Sequence, residues 1–211
     1  MKKISLLLAL LMIISVFNPN VLAYEGEKRE KEVIKVGEIS VVSPYRLKDV
    51  EVKHYEDNNF YYADVYSLKD NKLLVTYKEE KPQEITVMEC GKEIVRDLFT
   101  TYYDDPVNIT VRATCVIYNE CGSTGTVMHL IKIKSADHYI SSSGYFTLNN
   151  KKSTVSGNQV QVSGTQEINY DNSITQGLSL SFLESVGFSI ESQTGTVYHL
   201  RRTYQHTVEF R

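Results

Sequence analysis

Tryptophan is absent from this 211-residue chain, proline occurs only four times and cysteine three times. So little proline excludes a proline-rich spacer, and so few cysteines exclude a small scaffold stapled mainly by disulfides. Catalytic signatures are missing as well: there is no G-x-S-x-G elbow, no H-E-x-x-H, no glycine-rich phosphate loop and no calcium loop of the D-x-D-x-D-G kind. The expectation is therefore a non-enzymatic protein with no catalytic residues, no metal site and no cofactor. Blocks of one charge sign are lacking too. The formal charge is −3 with acids and bases interspersed, which gives no electrostatic reason to expect nucleic acid as a partner. From Ser153 to Leu200 there is no lysine or arginine at all, and the acids are only Glu167, Asp171, Glu184 and Glu191.

What is present begins with a charged start, Met1-Lys2-Lys3, followed by the apolar run Ile4 to Phe17 and the small-residue stretch ending at Ala23. That zoning predicts a signal peptide over residues 1–23, cleaved near Ala23, and a protein secreted to the extracellular side. Residues 24–35 are dense in charge without an apolar face and read as a mobile leader. Residues 36–211 then read as a single β-domain, with a subdomain break, if any, at the turn expected over Asn149-Asn150-Lys151-Lys152.

β-branched and aromatic residues recur along this domain in short alternating runs, which predicts an all-β fold: an elongated antiparallel sheet or sandwich. Phe60 to Tyr66 and Leu73 to Tyr77 flank the polar Lys69-Asp70-Asn71-Lys72 and predict a hairpin. Val107, Ile109, Val111, Ala113, Cys115 and Ile117 share one parity and predict a strand with a buried face. At Lys92 to Phe99 a short helix competes with a strand, since Ile94, Val95 and Leu98 stand at roughly helical spacing. The heptad Thr124-Gly125-Thr126-Val127-Met128-His129-Leu130 recurs as Thr194 to Leu200 with Tyr198 as the single difference, a pattern in which a turn would feed an equivalent strand twice.

Ile174 to Thr194 carries the most regular alternation. Ile174, Leu178, Leu180, Phe182, Val186, Phe188 and Ile190 share one parity, and small polar residues fill the other, with a break at Leu183-Glu184-Ser185. Read as strands, these are the two arms of a long amphipathic C-terminal β-ribbon, about nine residues and roughly 30 Å each. The pattern resembles the insertion hairpin of aerolysin-type pore-forming toxins. That resemblance covers Ser153 to Thr194 and implies a self-assembling, membrane-inserting protein whose apolar side, Leu178, Leu180, Phe182, Val186, Phe188 and Ile190, faces lipid. Membrane contact and oligomerisation belong to this alternative. The leading expectation is a binding protein whose partner is an extracellular or cell-envelope ligand.

For such a partner the contact surface is expected in the tyrosine-rich Phe60, Tyr61, Tyr62 and Tyr66, because tyrosine offers contact area at low entropic cost. Cys90, Cys115 and Cys121 would yield one disulfide and one leftover thiol in an oxidising compartment, with the pairing open. His129 and His199, at matching places in the heptad, and His206 sharing an edge with Glu209 are the nearest thing to a metal or acid/base set, but the parity of His199 reads as a surface histidine rather than a ligand. Glu56-Asp57-Asn58-Asn59 and Asp104-Asp105 read as ordinary turns.

Overall fold

A computed structural model describes residues 31–82, 93–104, 106–121, 127–141, 146–171 and 178–211. The alternating runs become strands β1 (Val33–Lys35), β2 (Ser40–Val42), β3 (Val50–Glu56), β4 (Phe60–Ser67), β5 (Leu73–Glu80), β6 (Glu93–Asp104), β7 (Val107–Cys121), β8 (Val127–Ile140), β9 (Phe146–Ser156), β10 (Gln159–Asp171), β11 (Ser189–Thr194) and β12 (Val197–Glu209). The all-β expectation is met. Besides strands, the described residues form a single 3-10 turn, Leu47–Asp49, and one short helix, α1 (Leu180–Ser185).

Strands β3 to β8 pair antiparallel in chain order as a six-stranded sheet, and β11-β12-β10-β9 form a four-stranded one. Their inner faces are apolar for the reason the alternation gave. Ala63, Val65, Val75, Tyr77, Leu98, Val111, Ala113, Cys115 and Ile117 from the first sheet meet Val160, Val162 and Val208 from the second in one buried cluster. A second cluster joins Val107 and Ile109 of β7 to Ile168, Leu200, Tyr204, Leu183 and Phe188. Each such aliphatic side chain contributes about 1.5–3 kcal/mol by leaving water.

The small β1–β2 hairpin is tied to the first sheet by a buried acid. The Glu79 carboxylate accepts the N–H groups of Gly37 (2.9 Å), Glu38 (3.0 Å) and Ile39 (2.9 Å), with Arg96 Nη1 at 3.7 Å. Burial pushes the Glu79 pKa up, while those three N–H groups and Arg96 oppose the shift.

The competition between helix and strand is decided for strand over Glu93–Asp104, because pairing with β7 along its whole length, joined by β5 from Leu98 to Tyr102, outweighs the weak helical spacing. Three expectations need correction. Val33–Lys35, expected in the mobile leader, is instead strand β1, held by pairing with β2 and by the burial of Ile34 in the first cluster. Asn149 to Lys152 is not a turn but lies within β9, where the pairing with β10 shifts at a bulge and Asn150 takes a φ of 52°. The chain reverses instead at Gly157-Asn158, with Gly157 at φ 58°.

The third correction concerns the ribbon. Leu180–Ser185 is helical, so Ile174 to Thr194 is not a pair of strand arms. Local chemistry explains it. The Ser179 hydroxyl accepts from the Phe182 N–H at 3.1 Å as an N-cap, and Gly187 at φ 91° closes the helix, with Gly187 N–H donating to Glu184 O and Phe188 N–H to Leu183 O. This is the paired C-terminal closure that only a residue without a Cβ enters cheaply. Residues 172–177 of the first arm lie outside the described residues, and Ser189–Thr194 of the second is strand as expected. A long C-terminal ribbon does exist. It is formed by β10 and β12, partnered from Gln159↔Glu209 to Asp171↔Val197.

Candidate functional site

The six-stranded sheet turns one face to the core, and the alternate residues stand on the other. Because β3 to β6 are in register, Tyr55 falls opposite Tyr62, Tyr62 opposite Lys78, Lys78 opposite Phe99, and Phe99 opposite Arg112 of β7. One row of aromatic and cationic side chains thus crosses five strands. Tyr55 and Tyr62 stack in parallel with centroids 4.6 Å apart and planes 6° apart, and Tyr55 is half exposed. Phe60 meets Phe99 edge-on at 6.3 Å, and the Lys78 ammonium sits 3.6 Å from the Phe60 centroid. Arg112 lies 5.8 Å from the Phe99 centroid.

The acids of this face hold the row in place. Asp57 is an N-terminal turn residue of β4: its Oδ1 accepts from the N–H of Asn59 and of Phe60 at 2.8 Å each, and its Oδ2 from the Tyr62 hydroxyl at 2.7 Å. The Tyr62 hydroxyl, followed by the Asn59 N–H, keeps the Asp57 carboxyl below its ordinary range. Asp64 accepts from Thr76 (2.6 Å) and Tyr55 (3.1 Å). Asp97 accepts from Thr114 (2.7 Å), from Arg112 Nε (2.8 Å) and from Arg112 Nη2. Desolvation, then the neighbouring carboxylate, pushes Tyr55 and Tyr62 up to about 12, so both stay neutral donors at physiological pH.

Lys78 makes no ion pair among the described residues and contacts three rings. A rigid aromatic shelf with cations over it and satisfied carboxylates beneath it can bind by stacking and by N–H and O–H donation. Of the expected contact residues, Phe60, Tyr62 and Tyr66 belong to this face, Tyr66 carrying Lys53 over its ring at 4.6 Å. Tyr61 does not: it has the opposite parity and packs against the core beside Gly37. Tyr55, Lys78 and Phe99 escaped the sequence reading because only cross-strand register brings them together. The outward parity of Arg112 was legible.

The apolar residues of the expected membrane face do not share one face. Phe188 is buried, Leu178, Leu180 and Val186 pack partly on the second cluster, and Phe182 and Ile190 are about two-fifths exposed. Leu183, assigned to a tip by the alternation, is the residue of α1 buried completely.

A polar layer joins the sheets. His138 of β8 is fully buried between Ser153 Oγ (2.8 Å) and the Tyr204 hydroxyl (2.6 Å). His206 stacks on Tyr102 at 4.0 Å and brings Nε2 to 3.1 Å from Asp104 Oδ2, within ion-pair reach but off hydrogen-bond alignment. The expected neighbour of His206 was Glu209, whereas its partner is Asp104. Tyr102 donates to the Thr207 carbonyl at 3.0 Å. Sealed inside, His138 serves to clamp β8, β9 and β12 together. His199 bonds Asn169 Oδ1 at 2.6 Å near the surface. The second heptad copy supplies the turn at Gly195 that feeds β12. In the first, Val127 opens β8 and residues 122–126 lie outside the described residues.

Cys115 is a free, buried thiol, Cys90 lies outside the described residues, and Cys121 ends β7. Among the described residues no group of three or more His, Cys, Asp or Glu is placed to hold a metal ion. No helix among them is long and apolar enough to cross a membrane, which says nothing of strands. Comparison with protein-family models, with curated proteins and with solved structures finds no match.

Proposed function

We propose that this is a secreted binding protein that holds an extracellular or cell-envelope partner on the outer face of its six-stranded sheet. The observation that carries the reading is the Tyr55–Tyr62 stack, with Tyr55 half exposed, continued by Phe60, Lys78 and Phe99 across the outer sheet face. Buried tyrosines would explain themselves as core; a half-exposed stack braced by Asp57 and Asp64 does not contribute to the core. The membrane-inserting alternative drew on residues 174–194 as two strands, and with α1 in that stretch it loses its supporting pattern.

The reading is tested by retention on insoluble peptidoglycan and on immobilised extracellular-matrix proteins, wild type against Tyr55→Ser/Tyr62→Ser. Selective retention of the wild type on one matrix, with both proteins melting alike, supports it. Equal retention of the two proteins on every matrix overturns it.

Export also bears on the cysteines. Burial pushes the Cys115 thiol up to about 12, far from a reactive thiolate, so Cys90 and Cys121 are the pair we propose to be oxidised. β6 and β7 pair in unbroken register from Asp104↔Val107 to Glu93↔Tyr118, and in the sequence Cys90 stands three residues before Glu93 and Cys121 three residues after Tyr118. The two thiols would pass two electrons and two protons to a disulfide donor of the exporting compartment. Secreted protein should then be two hydrogens lighter than its reduced form, and a non-reducing peptide map should link Cys90 to Cys121. A link to Cys115 would refute this pairing.

A further inference from the structure

At the other end of the β3–β4 hairpin from the aromatic row lies a cavity of about 560 Å³, lined by Tyr45, Arg46, Lys48, Asp49, Val50, Ser67, Leu68, Lys69 and Leu74. Its volume is in the range that accommodates small molecules. Its walls are built by the local chain path. The 3-10 turn at Leu47–Asp49 delivers the chain into β3, and the connection after β4 folds back, with Leu68 N–H donating to Asp49 O and Asn71, at φ 54°, donating to Ser67 O. Those two connections meet side by side because Val50 pairs with Ser67.

The lining divides by chemistry. Val50 is buried, and Tyr45 and Leu74 pack against the core, so the floor is apolar and fixed. Leu68 stands 60% exposed at the rim, next to this apolar floor. The lining carries three bases and one acid, Asp49, whose Oδ2 is held by Arg46 Nε at 2.7 Å; outside the lining, Asp70 feels the Lys69 charge and Glu32 accepts from the Leu47 N–H. Lys48 and Lys69 make no ion pair among the described residues. The lining itself is thus net positive beside apolar surface, on a chain of net charge −3.

We infer that this cavity binds an anionic amphiphile, its carboxylate or phosphate head drawn to Lys48 and Lys69 and its apolar body lying over Val50, Leu74 and Leu68. Charge complementarity selects the head, since lysine ammonium groups bind such oxygens as point charges. The fixed floor selects a body of a few carbons rather than a bare ion. The same head chemistry is offered by a soluble anion and by a membrane headgroup. This site is separate from the aromatic face, so either can fail without the other.

The experiment titrates 15N-labelled protein with octyl phosphate, inorganic phosphate and octyl glucoside, each below micelle formation, and follows the amide resonances. Octyl phosphate should move the amides of Tyr45 to Val50 and of Ser67 to Leu74. Inorganic phosphate, which lacks the body, and octyl glucoside, which lacks the charge, should each bind at least about tenfold more weakly. Lys48→Gln/Lys69→Gln should weaken octyl phosphate by about tenfold. Leu68→Ser should weaken it by a few fold. All three side chains are exposed, so these variants should fold as the wild type does. Sedimentation with phosphatidylglycerol vesicles, lost in the double variant, assigns the head to a lipid; octyl phosphate binding without sedimentation assigns it to a soluble anion. Equal affinity for octyl phosphate and octyl glucoside, indifference to the double substitution, or shifts at other residues would overturn the proposal.

Discussion

At the scale of single residues, the inner polar layer makes a prediction whose sign is fixed by burial. His138 has no exposed surface, and its imidazole is held below the ordinary 6.5, first by desolvation and then by the Lys151 charge. A base whose folded pKa is depressed favours folding while neutral. Its contribution is therefore complete above about 6.5 and is lost as pH falls through the lower folded value. The melting temperature should fall between pH 7 and pH 5, and His138→Gln should flatten that slope while costing about 1–3 kcal/mol for the disturbed Tyr204 and Ser153 bonds. Asp104, whose carboxyl is held down first by its contact with His206, adds a separate loss only at lower pH, as protons reach it below the ordinary 3.8. A melting temperature as steep in His138→Gln as in the wild type between pH 7 and pH 5 would remove His138 from this account. Cys115 offers an independent check: with its thiol at about 12 and buried, iodoacetamide at pH 8 should label it only after denaturation.

At the scale of elements, end signals decided what periodicity could not. Ala at Ser179 removes the bond to Phe182 N–H and should cost about 1 kcal/mol, read by chemical denaturation. The β1–β2 hairpin is more sensitive. A Cβ on Gly37 would stand 2.4 Å from Tyr61 Cδ2 and 2.9 Å from Glu79 Oε2, so Gly37→Ala should destabilise by about 1–3 kcal/mol and loosen hydrogen exchange at Val36 and Ser43 first. These cases mark how far the chain was legible. Val107 to Ile117, the Phe60/Leu73 hairpin and the all-β character followed from side-chain parity, because a sheet with one buried face writes its period into the residues. The six residues of α1 did not, since fewer than two turns of helix place Leu180 and Leu183 on one side without disturbing an alternation counted on even numbers alone. Ser179 and Gly187, the cap and the closing glycine, were the signal available. The aromatic row was illegible for another reason: Tyr55, Lys78 and Phe99 are separated by tens of residues, and which of them become neighbours depends on strand register.

At the scale of the whole described fold, β7 ties the two buried clusters into one. Val107 and Ile109 serve the second cluster, whereas Val111, Ala113, Cys115 and Ile117 of the same strand serve the first. A strand cannot leave one core and keep its place in the other, so the sheets should unfold together. Phe210 tests this from the far end of the chain. It is buried in the first cluster, bridges to Val41 of β2, and donates its N–H to Asn158 O at 2.8 Å. Phe210→Ala should cost about 3–5 kcal/mol through lost burial and a residual cavity. Phe182→Ala, on the exposed side of α1, should stay within about 0.5 kcal/mol of wild type. In urea followed by circular dichroism and by tyrosine fluorescence, Phe210→Ala should move one transition to lower denaturant with both probes coincident. If the curve splits, with one cluster melting early and the other at the wild-type midpoint, β7 does not couple them, and the clusters are independent units.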